Sequence, residues 1–476
     1  MSPIDPFLPR RRIAYFSMEI ALHPEMHTYS GGLGVLAGDT ARSCADLELP
    51  IVFVTLASRE GYLRQEIDGD GRQIDHAEPW HLADWATPLD AMVAVRIEGR
   101  AVWVRPWLHV LTCPIGHAIP VLLLDTRLEH NDPADRAITD RLYGGDEAYR
   151  LKQEIVLGVG GMRILHALGF DIETYHLNEG HAALLAAGLL REHRHPSDRP
   201  SDGALRYDAD RVRERCVFTT HTPVEAGHDR FDYEDAERLL GDFLPLDQMK
   251  LLAGPDRLNM TRLALNLSGY VNGVAMRHAE TARRMFPGYG IRAVTNGVHA
   301  PTWTHPAFVR LFQEIAPDWG HDPEELLGAD QLSDDAVWTA HQEAKGDLLA
   351  EIQKLTGVAM RPDVPLIAFA RRMTGYKRPD LLFTDLERLR AISRGQPFQL
   401  VMAGKAHPRD EGGKALIAEI HAHMRSLAGD IPMAFLPNYD MTLANKLVAG
   451  ADVWLNTPLP PYEASGTSGM KAALNG

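Results

Sequence analysis

Short apolar runs rich in branched side chains alternate with longer amphipathic stretches through the first three hundred or so residues. The runs IAYFSMEI (13–20), IVFVTLAS (51–58), IPVLLLDT (119–126), CVFTTHTP (216–223) and IRAVTNGV (291–298) predict buried strands, each closing on polar turn residues. Helical spacing over 34–47, 146–168, 181–193 and 259–285 predicts the helices between them. Strands and helices alternating in this way build a parallel sheet covered by helices. One segment departs from the pattern: EIDGDGRQID (66–75) carries a Gly-Asp-Gly turn signal and predicts a hairpin. The run GVGG (158–161), inside a helical pattern, predicts close packing against a neighbour.

A polar helical stretch over 322–356 leads into a second alternating block. Its strands are LIAFA (366–370), QLVMAG (399–404), MAFLP (433–437) and DVWLN (452–456). The pattern predicts an α/β protein of two doubly wound, Rossmann-like domains, residues 1–310 and 311–476, facing each other across a cleft. Sheets of this type commonly have five or six strands. The second block offers four before its last helix stops at Asn475-Gly476, so the second domain reads as incomplete.

Bulk properties narrow the partners. A net charge of −15 disfavours nucleic acid and anionic membrane as general partners, because both demand a broad basic surface. Cys44, Cys113 and Cys216 lie far apart and outside any CxxC spacing, which predicts reduced thiols and a cytoplasmic protein. The start, MSPIDPFLPRRR, lacks the apolar core of a signal peptide. His176 and His181 in HLNEGH are five apart, not a one-face helical spacing, and no metal site is expected.

Candidate chemistry collects at predicted strand ends, where open α/β sheets bind ligands. After LIAFA comes RRMTGYKR (371–378), four cations in eight positions. After QLVMAG comes Lys405, and after DVWLN the loop from Glu463 to Lys471, with hydroxyls and amides at Ser465, Gly466, Thr467 and Ser468. SGGLG (30–34) follows the first strand and opens a helix. Amide-rich loops at helix starts favour anions, and two such loops beside a basic cluster fit two phosphate groups better than one. Lys471 does not follow a phosphate-loop pattern, since Met470 separates it from the last glycine and Ala472 follows. A lysine among Met, Ala and Leu near other cations has its amine form favoured, which suits Schiff-base chemistry with pyridoxal phosphate; a surface helix lysine fits the same spacing.

The terminal stretch EASGTSGMKAALNG resembles the pyridoxal-phosphate signature of the α-glucan (glycogen, starch, maltodextrin) phosphorylases. YSGGLGVLAGD, FTTHTPVEAGHDRF, VNGVA, VTNGVHAPTW, RRMTGYKRPDLL, MAGKAHP and LPNYDMTLANKLVAGAD resemble further blocks of that family, in order. The resemblance implies a short-form member of GT-B type that uses pyridoxal 5'-phosphate. It implies reversible phosphorolysis of α-1,4-glucan to α-glucose 1-phosphate with retention, in a protein that is often a homodimer. Lys471 then matches the lysine that carries the cofactor. Arg371, Thr467, Ser468 and Gly32 match the groups around the cofactor phosphate, and Tyr439 a tyrosine of its pocket. Arg372 and Lys377 match the pair that binds substrate phosphate. His221, Asn296, Tyr376, Glu463, Ser465, Gly466 and Leu33 match contacts to the glucosyl unit, with the His221 carbonyl facing the developing oxocarbenium ion.

Thr374 and Gly375 stand where long phosphorylases carry His and Glu, Asp440 where they carry Arg, and Ser468-Gly469 where they carry Gly-Asn. Two rivals share much of the pattern. A retaining nucleotide-sugar glucosyltransferase of the glycogen or starch synthase type carries a second glutamate eight residues after Glu463, a position held here by Lys471. The other rival is an inactive, truncated glucan-binding protein.

Overall fold

The apolar runs pair side by side and in parallel, and the order of pairing decides which loops become neighbours. The computed structural model describes residues 2–114, 116–195 and 204–476. The chain forms two compact units, one of Met1–Tyr62 with Glu78–Asn296, the other of Leu63–Ala77 with Gly297–Gly476. The protein is thus a mixed α/β chain with a large, mainly parallel sheet.

In the first unit the parallel order is Ile291–Ala293, Tyr270–Gly273, Cys216–Thr220, Thr174–Asn178, Ile13–Ser17, Ile51–Leu56, Ala118–Asp125. Arg100–Thr112 adds antiparallel to the last of these. The two central strands bury nearly every residue, because helices cover both faces. Side chains alternate between faces with period two. Ala14, Phe16, Val52 and Val54 join one core, while Tyr15, Ile51 and Phe53 join the other.

The helix predicted over 146–168 runs from Glu147 to Leu168, with a π-helical turn at Val156–Gly160. Its glycines permit close approach: a Cβ on Gly158 would lie 2.7 Å from the backbone nitrogen of Leu185, and one on Gly161 would lie 2.6 Å from the Phe16 ring.

The helix predicted over 259–285 is corrected by the structure. Helices Met260–Leu267 and Met276–Met285 flank a parallel strand, Tyr270–Gly273. Gly269 donates to the carbonyls of Arg213 and Cys216, and a Cβ there would lie 2.5 Å from the Arg213 oxygen. The chain therefore leaves the helix and pairs with Cys216–Thr220. Thr174–Asn178 is a strand that the apolar pattern hides, since its sequence TYHLN is half polar.

In the second unit the order is Met433–Leu436, Gln399–Ala403, Leu366–Ala370, Val453–Trp454, all parallel. One face packs Phe369, Leu400, Met402 and Phe435; the other packs Leu366, Ala368, Val401 and Leu436. Asp334–Thr356 is the long helix, begun by the Ser333 side chain accepting from Ala336 N–H and ended by Gly357 at φ +73°. A 3-10 segment, Pro323–Gln331, precedes it within the predicted helical stretch. The predicted hairpin forms between Arg64–Ile67 and Gln73–His76, and it clusters with this second unit. Among the described residues no helix is long and apolar enough to cross a membrane, and the three cysteines are buried and free.

Candidate functional site

In each unit the strand order reverses beside the first strand of its parallel sheet, and ligands of open α/β sheets sit at such points. In the second unit that strand is Leu366–Ala370, flanked by Gln399–Ala403 and Val453–Trp454. Four cations leave it, and the structure sorts them. Arg371 is buried, with Nη2 2.8 Å from Glu463 Oε2, and the Lys377 ammonium donates to the same oxygen. Arg378 instead donates to the backbone carbonyls of Thr457 and Pro458, a structural use. Arg372 is exposed.

Two cations thus share one carboxylate oxygen. Burial, then the adjacent Arg371 guanidinium, lowers the Lys377 amine to about 8 against the opposing pull of Glu463. Its ammonium lies 4.8 Å from the centre of the Tyr376 ring, whose phenol is pushed up by burial and by Glu463. Arg371 Nη1 and Ser465 Oγ are buried without a hydrogen-bond partner in the structure. Buried polar atoms are rarely left so, and two donors beside paired cations call for an anion.

The last helix, Ser468–Ala473, carries Lys471. Gly466 turns the chain at φ +72°, and the Thr467 carbonyl accepts from Lys471 N–H. The Ser468 hydroxyl is engaged by the Trp454 indole at 3.1 Å. Lys471 is buried, its ammonium 3.6 Å from the centre of the Trp303 ring. Asn475 holds this geometry by donating to the carbonyls of both Lys471 and Trp303, while its own oxygen accepts from His305 N–H. Tyr439 follows Asn438, a left-handed residue at φ +57°, and its phenol is raised by burial. Asp440 caps helix Met441–Gly450 by accepting from Leu443 N–H at 2.8 Å.

In the first unit the reversal lies between Ile51–Leu56 and Thr174–Asn178, on either side of Ile13–Ser17. Here the first two amides of SGGLG already meet a carboxylate of the chain itself. The Glu19 carboxylate already accepts from Ser30 N–H, Ser30 Oγ and Gly31 N–H at 2.6, 3.1 and 3.3 Å, and from Tyr143 Oη at 2.9 Å. A Cβ on Gly34 would lie 2.7 Å from that carboxylate. Gly32 opens helix Gly32–Asp46, and a Cβ there would meet nothing within 4 Å; Leu33 follows, half-buried.

His221 ends strand Cys216–Thr220. Its Nε2 lies 2.6 Å from Asn178 Oδ1, and its backbone N–H donates to Glu179 at 2.7 Å. Glu179 also accepts from Gly180 N–H and Thr222 Oγ1, and it holds φ +68° to do so. Burial lowers the His221 imidazole to about 4, with Glu179 opposing. The Glu179 carboxyl sits below its usual range although burial works to raise it, because His228, His221 and His181 surround it. Asn296 N–H donates to the Val274 carbonyl, leaving its half-buried side chain beyond the sheet end.

Arg371, Lys377, Tyr376 and Glu463 therefore come together in the second unit, and Lys471 sits on a separate anchor, Trp303. Among the expected residues, Gly32, Leu33, His221 and Asn296 belong to the first unit. Sequence reasoning missed Glu19, Glu179 and Trp303 as site-building residues. All three lie within or beside the quoted blocks, but nothing in the spacing says which loop they hold. No cluster of three or more His, Cys, Asp or Glu side chains among the described residues is arranged to hold a metal ion.

Residues 201–476 match the profile of the family described as carbohydrate phosphorylase. The chain is 37% identical to a glycogen phosphorylase of Mycobacterium tuberculosis, an alignment covering 98% of the chain and 59% of that protein. It is 36% identical to a maltodextrin phosphorylase of Thermococcus litoralis, over 98% of the chain and 59% of the relative. With a glycogen phosphorylase of Aquifex aeolicus the identity is 34%, over 98% and 73%. The chain spans about three-fifths of the length of the first two relatives. Profile, identity and strand-end chemistry agree, and the chain belongs to the carbohydrate phosphorylase family.

Proposed function

We propose that the protein is an α-glucan phosphorylase, a hexosyltransferase that interconverts α-1,4-glucan plus phosphate with a shorter glucan plus α-glucose 1-phosphate, with retention. The observation that carries this reading is the paired Arg371 and Lys377 on Glu463, beside the unpartnered Arg371 Nη1 and Ser465 Oγ. Those groups fit the phosphates of pyridoxal 5'-phosphate and of the substrate, and buried Lys471 fits the cofactor's aldehyde. When bound, the cofactor supplies a phosphate that exchanges a proton with substrate phosphate.

The chain's own residues divide the remaining work. Arg371, Thr467, Ser468 and the Gly32 backbone hold the cofactor phosphate, and Tyr439 lines its pocket. Arg372 and Lys377 bind the substrate phosphate and neutralise charge that accumulates as two phosphates approach. Glu463 accepts hydroxyl hydrogen bonds from the sugar, which Asn296, Tyr376, Ser465, Gly466 and Leu33 also contact. The His221 carbonyl faces the positive charge that develops on the glucosyl carbon, a role supported by the grip of Glu179 on the same residue's N–H.

GT-B architecture is part of this proposal, supported by a separate parallel sheet in each unit. So are glucan and inorganic phosphate as partners, a homodimer, and a cytoplasmic setting, for which the support is the family resemblance. The three relatives named above are phosphorylases, and Lys471 occupies the position at which a synthase carries its second glutamate, so the synthase rival is not favoured.

The test is to load purified protein with pyridoxal phosphate, record the cofactor absorbance, reduce with borohydride and locate the added mass. A label on Lys471 with glucose 1-phosphate formed from maltodextrin and phosphate is expected, and Lys471→Ala should lose both. Turnover of UDP- or ADP-glucose with an unlabelled lysine would replace the proposal with the synthase. Neither label nor turnover would leave a glucan-binding protein.

A further inference from the structure

The hairpin Arg64–Ile67/Gln73–His76 is far in sequence from the basic strand end, yet two of its glutamines are buried against that strand end's supporting loops. Gln65 is 2% exposed. Its backbone N–H donates to Asn438 Oδ1 at 3.0 Å, and its Oε1 accepts from Asn438 N–H at 2.9 Å, a two-way clasp. Its Nε2 donates to the Gly404 carbonyl at 2.9 Å and to Gln73 Oε1 at 2.8 Å. Gln73 continues the pattern, with Oε1 accepting from Ala406 N–H and Nε2 donating to the Ala406 carbonyl, both at 2.9 Å. Both amides are used as donor and acceptor at once, which neither a carboxylate nor an alkyl chain can reproduce.

What these amides hold is specific. Asn438 stands in the left-handed region immediately before Tyr439 and the helix-capping Asp440, so the clasp fixes the turn from which Tyr439 projects. Gly404 lies against Arg371: a Cβ on it would overlap the Arg371 carbonyl oxygen. Arg371 N–H donates to the Ala403 carbonyl, and Met373 N–H to the Lys405 carbonyl. The peptide segment 403–406 is thus the backing of Arg371, and the hairpin is the backing of that segment. Lys405 adds a third tie by donating to the Leu63 carbonyl at 2.8 Å.

We propose that Gln65 and Gln73 are positioning residues for the anion pocket: they lock the Tyr439 turn and the backing of Arg371 in the geometry that receives the cofactor phosphate. This rests on the reading of Lys471 and Arg371 as a pyridoxal-phosphate site. A pocket wall held by buried amides binds more tightly because less ordering is left for the ligand to impose.

The test compares Gln65→Met, which keeps chain length but loses the amide, with Asn438→Gly, which keeps the left-handed backbone but loses the acceptor. Pyridoxal phosphate affinity is read from absorbance titration, the rate of borohydride trapping at Lys471 from mass spectrometry, and folding from the thermal midpoint of the cofactor-free protein. Both variants should show a dissociation constant raised about tenfold, the loss common when groups behind a binding shell are removed, with slower trapping and an affinity loss larger than any fall in the midpoint of the cofactor-free protein accounts for. If Gln65→Met does not fold, Asn438→Gly decides alone. Affinity and trapping equal to the parent in a folded variant overturn the inference. So does an affinity loss that merely follows a lowered midpoint, since the glutamines would then only stabilise the fold. A parent protein that takes up no pyridoxal phosphate overturns this inference and the proposed function together; a parent that binds beside unaffected variants overturns this inference alone.

Discussion

Both units place a glycine-containing loop where strand order reverses, and by sequence the two loops look alike. In the structure they are opposites. In the first unit the start of SGGLG is held by a resident anion, the Glu19 carboxylate, which takes the Ser30 and Gly31 amides and the Tyr143 hydroxyl. The loop of the second unit brings Glu463 to two cations but leaves Arg371 Nη1 and Ser465 Oγ unmet. Donors satisfied internally serve as scaffold, and surplus buried donors are prepared for a ligand. The lesson is that glycine spacing reports where backbone can accept an anion, while the presence of an internal carboxylate decides whether it still needs one.

The comparison breaks most sharply at Glu19. Glu19→Ala would strand four donors in a buried site, and urea unfolding should show a loss of about 3–5 kcal/mol with little change in anion binding by the second unit. A loss below about 1 kcal/mol would show that the loop does not depend on its resident carboxylate. Next in size, Gly404→Ala should cost about 2–3 kcal/mol in the same measurement, since the methyl group would overlap the Arg371 carbonyl oxygen and φ is +149°.

A smaller and opposite effect is expected on the ligand side. Glu463→Gln removes the internal competitor for Arg371 and Lys377, so inorganic phosphate should bind about tenfold tighter by calorimetry. Weaker phosphate binding in this variant would mean that Glu463 organises the cations and does not compete for them.

The mildest test is pH. Lys377 titrates near 8 in the folded protein, below its ordinary 10.5. The ammonium needed by an anion is therefore lost as pH rises through about 8, and phosphate affinity should drop severalfold between pH 7 and 9. Lys377→Arg should flatten that profile. The linked stability effect has the other sign: between about 8 and 10.5 the unfolded chain binds the proton that the folded one has released, so folding gains stability as pH rises across that window.

The glutamine clasp shows why part of the site could not be read from the chain. Arg371, Lys377 and Glu463 follow strands that the apolar runs announce and Lys471 lies on the helix after them, so strand-end placement drew attention to the segments while the family resemblance gave the individual residues their roles. Gln65 and Gln73 lie in a polar hairpin whose sequence signals only a turn; nothing local says that it docks on residues 403–406 and 438. The strands Thr174–Asn178 and Tyr270–Gly273 escaped for a related reason. Their polar or short sequences become strands because flanking parallel strands supply the pairing, which is a property of the sheet and not of the segment.

From the sequence one could read a mixed α/β protein with basic and glycine-containing motifs after its strands and a lysine in a cofactor-like signature, because period-two apolar runs and short motifs are local properties. Long-range packing settled which of four cations meet one carboxylate, that Trp303 seats Lys471, and that Glu19 takes the first amides of the first glycine loop. Those outcomes depend on long-range packing that brings distant donors and acceptors within hydrogen-bond distance, and on the cost of leaving any of them buried without a partner.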